Sequence, residues 1–330
     1  MKTLLLNKSN VYSLLDLDKI LTAVENGYKS FQLQKVVQPD FMSVVLPGTH
    51  TGFDFKAGMD LNGNYVTIKS SSGGYPDNPS LGLPTGMNVV YLYEASTSAL
   101  KCILDGTYIT GCRTAAAGAI SIKYLARKNA SSLTIMGSGN QARHQLRAAL
   151  RVHPFKEIHV WSYDFDHAVT FASEMSRELS LDIKPCHSAQ EAVSSADVII
   201  TTTRGRKGPV IKPEWLKAGT HIAAIGSDMP DKQELDTSVF KNAKAVADSK
   251  NLCMKNGELH HAVESGVLTA DKIYAEIGEI ILGLKPGREN NEEITVFDTV
   301  GMAIQDNVMA AYLYQEAGKR GIGSYFDFLD

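Results

Sequence analysis

From Ser131 onward the chain alternates short apolar runs with amphipathic helical stretches, and the runs lack the period-two pattern of a strand with one wet face. Strands of that kind are buried on both faces, as in a parallel sheet flanked by helices. The expected strands are 133–136, 158–161, 183–186, 198–202, 221–225, 243–247 and 294–297. Helices fit at 141–152, 168–179 and 189–195, with a weaker one before Ala243. Right-handed crossovers turn this order into an α/β doubly wound, Rossmann-type parallel sheet.

The preceding third has another rhythm. Leu17, Ile20, Leu21, Val24, Tyr28 and Phe31 recur at helical spacing, followed by strand-like patterns at 42–46, 65–69 and 87–93. Ser70-Ser71-Ser72-Gly73-Gly74 and 76–84 read as loops of a mostly antiparallel unit. A last helix at 302–319 leaves 321–330 as a tail able to return to this first unit.

Composition narrows the function. The 330 residues carry 33 Lys+Arg against 36 Asp+Glu, a net charge of −3, and 44% hydrophobic residues. Such a chain buries a sizeable core and offers no basic field for nucleic acid. No apolar stretch approaches the ~20 residues needed to cross a bilayer, so a membrane is not an expected partner. Met1 to Asn7 lacks the apolar core and cleavage site of a signal peptide, and the expected location is cytoplasmic. Cys102, Cys112, Cys186 and Cys253 are widely spaced and read as reduced core thiols. His260-His261 has no acid or cysteine at a convincing ligand spacing, so no metal is expected.

Gly137-Ser138-Gly139-Asn140-Gln141-Ala142 sits between an apolar strand and an amphipathic helix. Gly137 permits the tight turn, Gly139 lets the backbone approach a pyrophosphate, and Ala142 allows close helix packing. At the end of the second strand, where an acid would hold the ribose diol of NAD, Ser162 is followed by Tyr163 and Asp164. Asp164 can serve if the strand ends late, and no arginine follows for a 2′-phosphate. The expected cofactor is therefore NAD or NADP, with NAD ahead.

Asp228, in Gly226-Ser227-Asp228-Met229-Pro230-Asp231-Lys232, lies just past a parallel strand, on the edge where doubly wound folds bind ligands. It reads either as a proton-transfer group or as an Asx turn before Pro230. Gly111 to Ala117 reads as the start of a small-residue helix. Arg113 is awkward there unless it shares an anion with the helix N-terminus, or simply faces water. Strand lysines Lys69 and Lys56 point either into a polar pocket or to solvent.

Together these pieces resemble the ornithine cyclodeaminase/mu-crystallin family. The motifs are Lys69, Asp105-Gly106 with Ile109-Thr110 leading into Arg113-Thr114-Ala115-Ala116, the 137–142 loop, Gly226 to Leu235, and Thr295 to Gly301. The resemblance implies a homodimer in which an α+β substrate and dimerisation domain, completed by the C-terminal tail, accompanies the Rossmann domain. The expected division is 1–115 with 320–330, against 116–319. It implies that Lys69 and Arg113 face an amino-acid or imine substrate and that Asp228 is the acid/base, with Lys69 also counted as catalytic. The cofactor edge would comprise Gly137, Gly139, Asn140, Gln141, Ala142, Ser162, Asp164, Thr202, Lys232 and Val300. The family commonly carries an arginine near 38–42 and a Met-Pro shortly after; both are missing here, and Lys56 is the cation left to take the carboxylate. The implied activity is NAD(P)-dependent chemistry at the Cα–N bond of a small amino acid, with ornithine cyclodeaminase as the first expectation. An amino-acid dehydrogenase or imine reductase comes next, and a mu-crystallin-like binding protein third.

Overall fold

The computed structural model describes residues 2–49, 51–73, 75 and 77–328. The chain divides into two compact units, Met1–Arg113 with Met302–Asp330, and Thr114–Gly301. The expected loop residues Gly74 and Pro76 lie outside the described residues.

The first unit opens with β1 (Lys2–Leu6), α1 (Lys8–Leu14) and α2 (Leu17–Gln32). Asp16 caps α2 by accepting from the Asp18 and Lys19 amides, and Ile20, Val24 and Tyr28 form its buried stripe. There follow β2 (Val36–Val37), β3 (Met42–Val45), β4 (Gly52–Asp60), β5 (Tyr65–Gly73), β6 (Met87–Glu94) and β7 (Leu100–Asp105). Neighbours β4 to β7 pair antiparallel, while β1 joins β7 in parallel. The expected loop at 70–73 is instead the end of β5: Ser70 and Ser72 pair with Val89 and Met87, and the ladder overrides the weak strand propensity of a serine run.

One face of this sheet buries Thr67, Lys69, Val90, Leu92, Cys102 and Leu104. The opposite face leaves Phe53, Ile68 and Met87 exposed at 43%, 37% and 43%.

Helix α3 (Gly106–Leu125) has residues in both units. The second unit then alternates strands and helices: β8 (Ser132–Met136), α4 (Asn140–Val152), β9 (Glu157–Trp161), α5 (Phe165–Leu179), β10 (Ile183–Pro185), α6 (Ala189–Ser194) and β11 (Val198–Thr201). It continues with β12 (His221–Ala224), β13 (Ala243–Ala247), α7 (Lys250–Asn256), α8 (Glu258–Glu264), β14 (Ala275–Glu276), α9 (Ile277–Ile281) and β15 (Ile294–Asp298). The strand order is β10-β9-β8-β11-β12-β15-β13-β14, parallel throughout. Leu133, Ile135, Val160 and Ile200 pack into one core and Ile199, Ile222 and Val296 into another, so both faces are covered. The order reverses between β8 and β11, which opens a ligand crevice at their carboxyl ends.

The chain returns to the first unit through α10 (Ala303–Arg320) and β16 (Ser324–Asp327). The tail does come back: β16 pairs antiparallel with β1. The expected assignment of 302–319 to the dinucleotide-binding unit is corrected, since α10 packs on the antiparallel sheet. Asn307 donates to the Gly58 and Tyr65 carbonyls, and a Cβ on Gly58 would come 2.9 Å from that of Ala303. Among the described residues no helix is long and apolar enough to cross a membrane. All four cysteines are buried and in no disulfide.

Candidate active site

The carboxyl edge of the parallel sheet carries the glycine loop. Gly137 donates its amide to the Trp161 carbonyl at 2.7 Å and has φ +116, a conformation that favours glycine. Its missing Cβ would stand 2.7 Å from Thr202 Oγ1, so Thr202 closes against the loop from the far side of the crevice. Gly139 caps α4 without any side-chain bond, leaving amides of the first turn to accept an anion, and a Cβ there meets nothing within 4 Å. The buried Nε2 of Gln141 has no partner. An open helix N-terminus, clear space above Gly139 and an unsatisfied donor fit a dinucleotide pyrophosphate. Ala142 is fully buried and lets α4 pack against Leu133 and Ile135.

Ser162 follows β9 directly and accepts from Ser138 Oγ at 3.0 Å. Asp164 lies further on, and its Oδ1 accepts the Asp166 amide as the cap of α5. The strand ends at Trp161, so Asp164 does not occupy its last position, where the ribose acid was expected.

Asp228 is 51% exposed at its side chain and ion-pairs with Lys232 one turn on. The loop is fixed from behind: Ser227 Oγ and His261 Nε2 both donate to the Lys232 carbonyl, at 2.6 and 2.7 Å. Glu234, invisible as a site residue in the sequence, is fully buried and accepts the Thr203 and Gly226 amides, tying the loop after β11 to the loop after β12. Val300 follows β15, where Asp248 holds both the Thr299 hydroxyl and the Gly301 amide. Glu264 stands one helical turn from His260, and one candidate ligand atom each from His260, His261 and Glu264 lies within 4.8 Å of the others. The acid missing from the sequence reading is therefore present.

The first unit holds a cluster of buried charged side chains on the inner face of its sheet. Lys69, in β5, is 2% exposed, and its Nζ lies 2.9 and 2.8 Å from the two carboxylate oxygens of Asp306. Arg113 Nε lies 3.3 Å from Asp306 Oδ1, and its Nη1 donates to Gln305 Oε1 at 3.1 Å. Lys69 and Arg113 are thus buried in the unit rather than turned to solvent. Arg113 does not stand at a helix start: α3 begins at Gly106, two turns earlier, and the carboxylate it meets within the chain is that of Asp306. Lys56 pairs in register opposite Lys69, with its Nζ 5.0 Å from the Phe41 ring centroid.

Burial pushes the Lys69 ammonium down to about 7, and Arg113 and Lys56 push the same way while Asp306 opposes them. Burial also raises the Asp306 carboxyl, but Lys69 and then Arg113 outweigh it and hold it below its usual value. Two cations sharing one carboxylate leave buried positive charge to be neutralised, which suits a carboxylate ligand.

Comparison with known proteins relates the whole chain to one family. The family model described as the Ornithine cyclodeaminase/mu-crystallin family matches residues 1–321. The alanine dehydrogenase of Archaeoglobus fulgidus is 40% identical over 332 residues, 99% of each chain. The structure of an archaeal alanine dehydrogenase dimer with bound NAD superposes with a TM-score of 0.94 at 38% identity, covering 100% of both chains. The Thermococcus litoralis Delta(1)-pyrroline-2-carboxylate reductase, in complex with NADH and L-proline, gives 0.93 at 33% identity over 98% of this chain and 99% of that one.

Proposed function

The chain belongs to the ornithine cyclodeaminase/mu-crystallin family, and we propose that within it this protein is an NAD-dependent dehydrogenase of a small α-amino acid, or an imine reductase in the reverse direction. That it is an enzyme of the NAD(P)-dependent amino-acid or imine oxidoreductase kind follows from its relatives. When bound, the nicotinamide accepts or supplies the hydride at the substrate Cα.

Every other task falls to the chain. The amides at the start of α4, with Gly139 and Gln141, hold the pyrophosphate, and Asn140, Ser162, Thr202, Lys232 and Val300 line the remainder of the dinucleotide site. Arg113 takes the substrate carboxylate in a charge-assisted pair, Lys69 in its protonated form stands beside it, and Lys56 supplies the cation that the family commonly places near 38–42. Asp228 takes the proton from the substrate nitrogen and returns it in the reverse direction, and with a primary amino acid solvent water then adds to the imine carbon and ammonia leaves, giving the 2-oxo acid. The exposed apolar face at Phe53, Ile68 and Met87 is the surface we assign to a homodimer.

The buried Lys69–Asp306–Arg113 constellation carries this reading, because it calls for a carboxylate substrate. Cyclisation of a diamino acid asks for a second feature, an acid to receive the side-chain ammonium. Asp306 already serves both cations, and Asp54 accepts from Ser43 Oγ. Net dehydrogenation is therefore proposed ahead of ornithine cyclodeaminase.

The test is a panel of L-alanine, L-proline and L-ornithine with NAD⁺, following absorbance at 340 nm, ammonia and proline. NADH formed one-for-one with ammonia from alanine, or NADH from proline with no ammonia, supports the proposal. Proline formed from ornithine beyond one equivalent of cofactor, at flat absorbance, overturns it in favour of the cyclodeaminase.

A further inference from the structure

Resting on that reading, the geometry points to Asp306 as a positioning residue, the internal counterion that keeps Lys69 charged to receive its ligand. Asp306 is 1% exposed and lies in the first turn of α10. Its oxygens reach both Lys69, from β5, and Arg113, from α3.

A purely structural role is already filled by its neighbours. Gln305 accepts from the Met302 amide and from Arg113, and donates to the Tyr28 hydroxyl at 2.7 Å. Asn307 donates to the Gly58 and Tyr65 carbonyls. These bonds fix the first turn of α10 to α2 and the sheet without help from Asp306.

What Asp306 does alone is electrostatic. The charged groups acting on Lys69 are Asp306 from α10, Arg113 from α3 and Lys56 from β4, while Val90 pairs with it on β6. Burial and both cations favour loss of its proton, and Asp306 alone favours retention. Without Asp306 the lysine would be neutral around pH 7, and the pocket would lose one of the charges that bind a carboxylate.

The experiment compares wild type, Asp306→Asn and Asp306→Glu, measuring KM and kcat for the amino-acid substrate across pH 5.5–9. In wild type KM should rise as pH passes upward through about 7. In Asp306→Asn that rise should begin at least about one pH unit lower, giving about a tenfold higher KM near neutrality with kcat changed less. Asp306→Glu should move the rise back. A variant that loses kcat and KM evenly at every pH, with the rise unmoved, overturns the inference.

A second measurement needs no substrate. Because Lys69 binds its proton more weakly in the fold than unfolded, stability should increase with pH from about 7 toward 10.5. Urea midpoints should show that increase starting lower in Asp306→Asn and absent in Lys69→Met. If no amino acid is turned over but the midpoints behave this way, the functional reading fails and the counterion survives. An unshifted onset in Asp306→Asn sinks the counterion itself.

Discussion

Lys56 and Lys69 stand directly opposite each other on the antiparallel pair β4–β5, two like charges in register on the face that the sheet buries. Such an opposition costs stability, of the order of several tenths of a kcal/mol. The Asp306 carboxylate, which acts on both lysines, offsets it, and in the proposed function a bound carboxylate would offset it further. Lys56→Met should raise the urea midpoint slightly, by less than about 1 kcal/mol in stability, yet weaken carboxylate binding by about tenfold in KM. The pH at which KM rises should move upward, opposite to the shift for Asp306→Asn, because one of the cations acting on Lys69 is gone. An unchanged KM would place Lys56 away from the substrate.

The two glycines of the nucleotide loop should respond differently to a side chain. Gly139 has φ −78 and open space where a Cβ would go, so Gly139→Val should fold and melt like wild type while NADH fluorescence titration shows binding abolished. Gly137 has φ +116 and no room beside Thr202, so Gly137→Ala should lose about 1–3 kcal/mol of stability before any effect on the cofactor is considered. Undiminished NADH binding by a folded Gly139→Val protein would remove the dinucleotide from this loop.

Asp228→Asn keeps shape but removes the carboxylate proposed as the base. Its ion pair with Lys232 is half-exposed and contributes little to the fold, so the melting temperature should barely move. Turnover should fall by ~10²- to 10⁴-fold, with NADH affinity within a few-fold of wild type. Stopped-flow measurement of the hydride step separates this from slow product release; turnover within a few-fold of wild type would leave Asp228 as a loop residue only.

The parallel sheet was legible because strands such as β8, β11 and β12 are buried on both faces and read as mostly apolar runs with no exposed alternate face. Gly137 was legible because its backbone tolerates no other residue without strain. The antiparallel unit was harder. In β4 the alternation of Phe53, Phe55, Ala57 and Met59 with Asp54, Lys56 and Gly58 puts charge on the buried face, so the pattern does not look like a strand with a dry side. The small residues of Gly111 to Ala117 read as a helix start, whereas α3 begins at Gly106 and carries Arg113 in its interior. Asp306 resembles any acid in a helix's first turn; what makes it special is Lys69, 237 residues away in sequence, and no local pattern carries that pairing.

Deep in the second unit, His221 sits fully buried between Ser121 Oγ at 3.0 Å and Thr295 Oγ1 at 2.9 Å. Burial, with the Arg288 charge adding to it, pushes the imidazole down to about 3, from an ordinary 6.5. The sign follows from proton counting. Between those two values the unfolded chain binds a proton that the folded chain refuses, so acid favours unfolding and stability falls as pH drops from 6.5 toward 3. A fully mismatched proton corresponds to a slope of about 1.4 kcal/mol per pH unit. His221→Gln retains hydrogen-bonding capacity toward the two hydroxyls without a titrating group. It should be less stable than wild type at pH 7, through imperfect packing, and lose stability more slowly on acidification. Urea midpoints at pH 7, 6, 5 and 4 should therefore converge for the two proteins, the remaining histidines and carboxylates contributing equally to both. Parallel lines would mean that His221 takes up its proton within the fold and that its burial imposes no acid sensitivity.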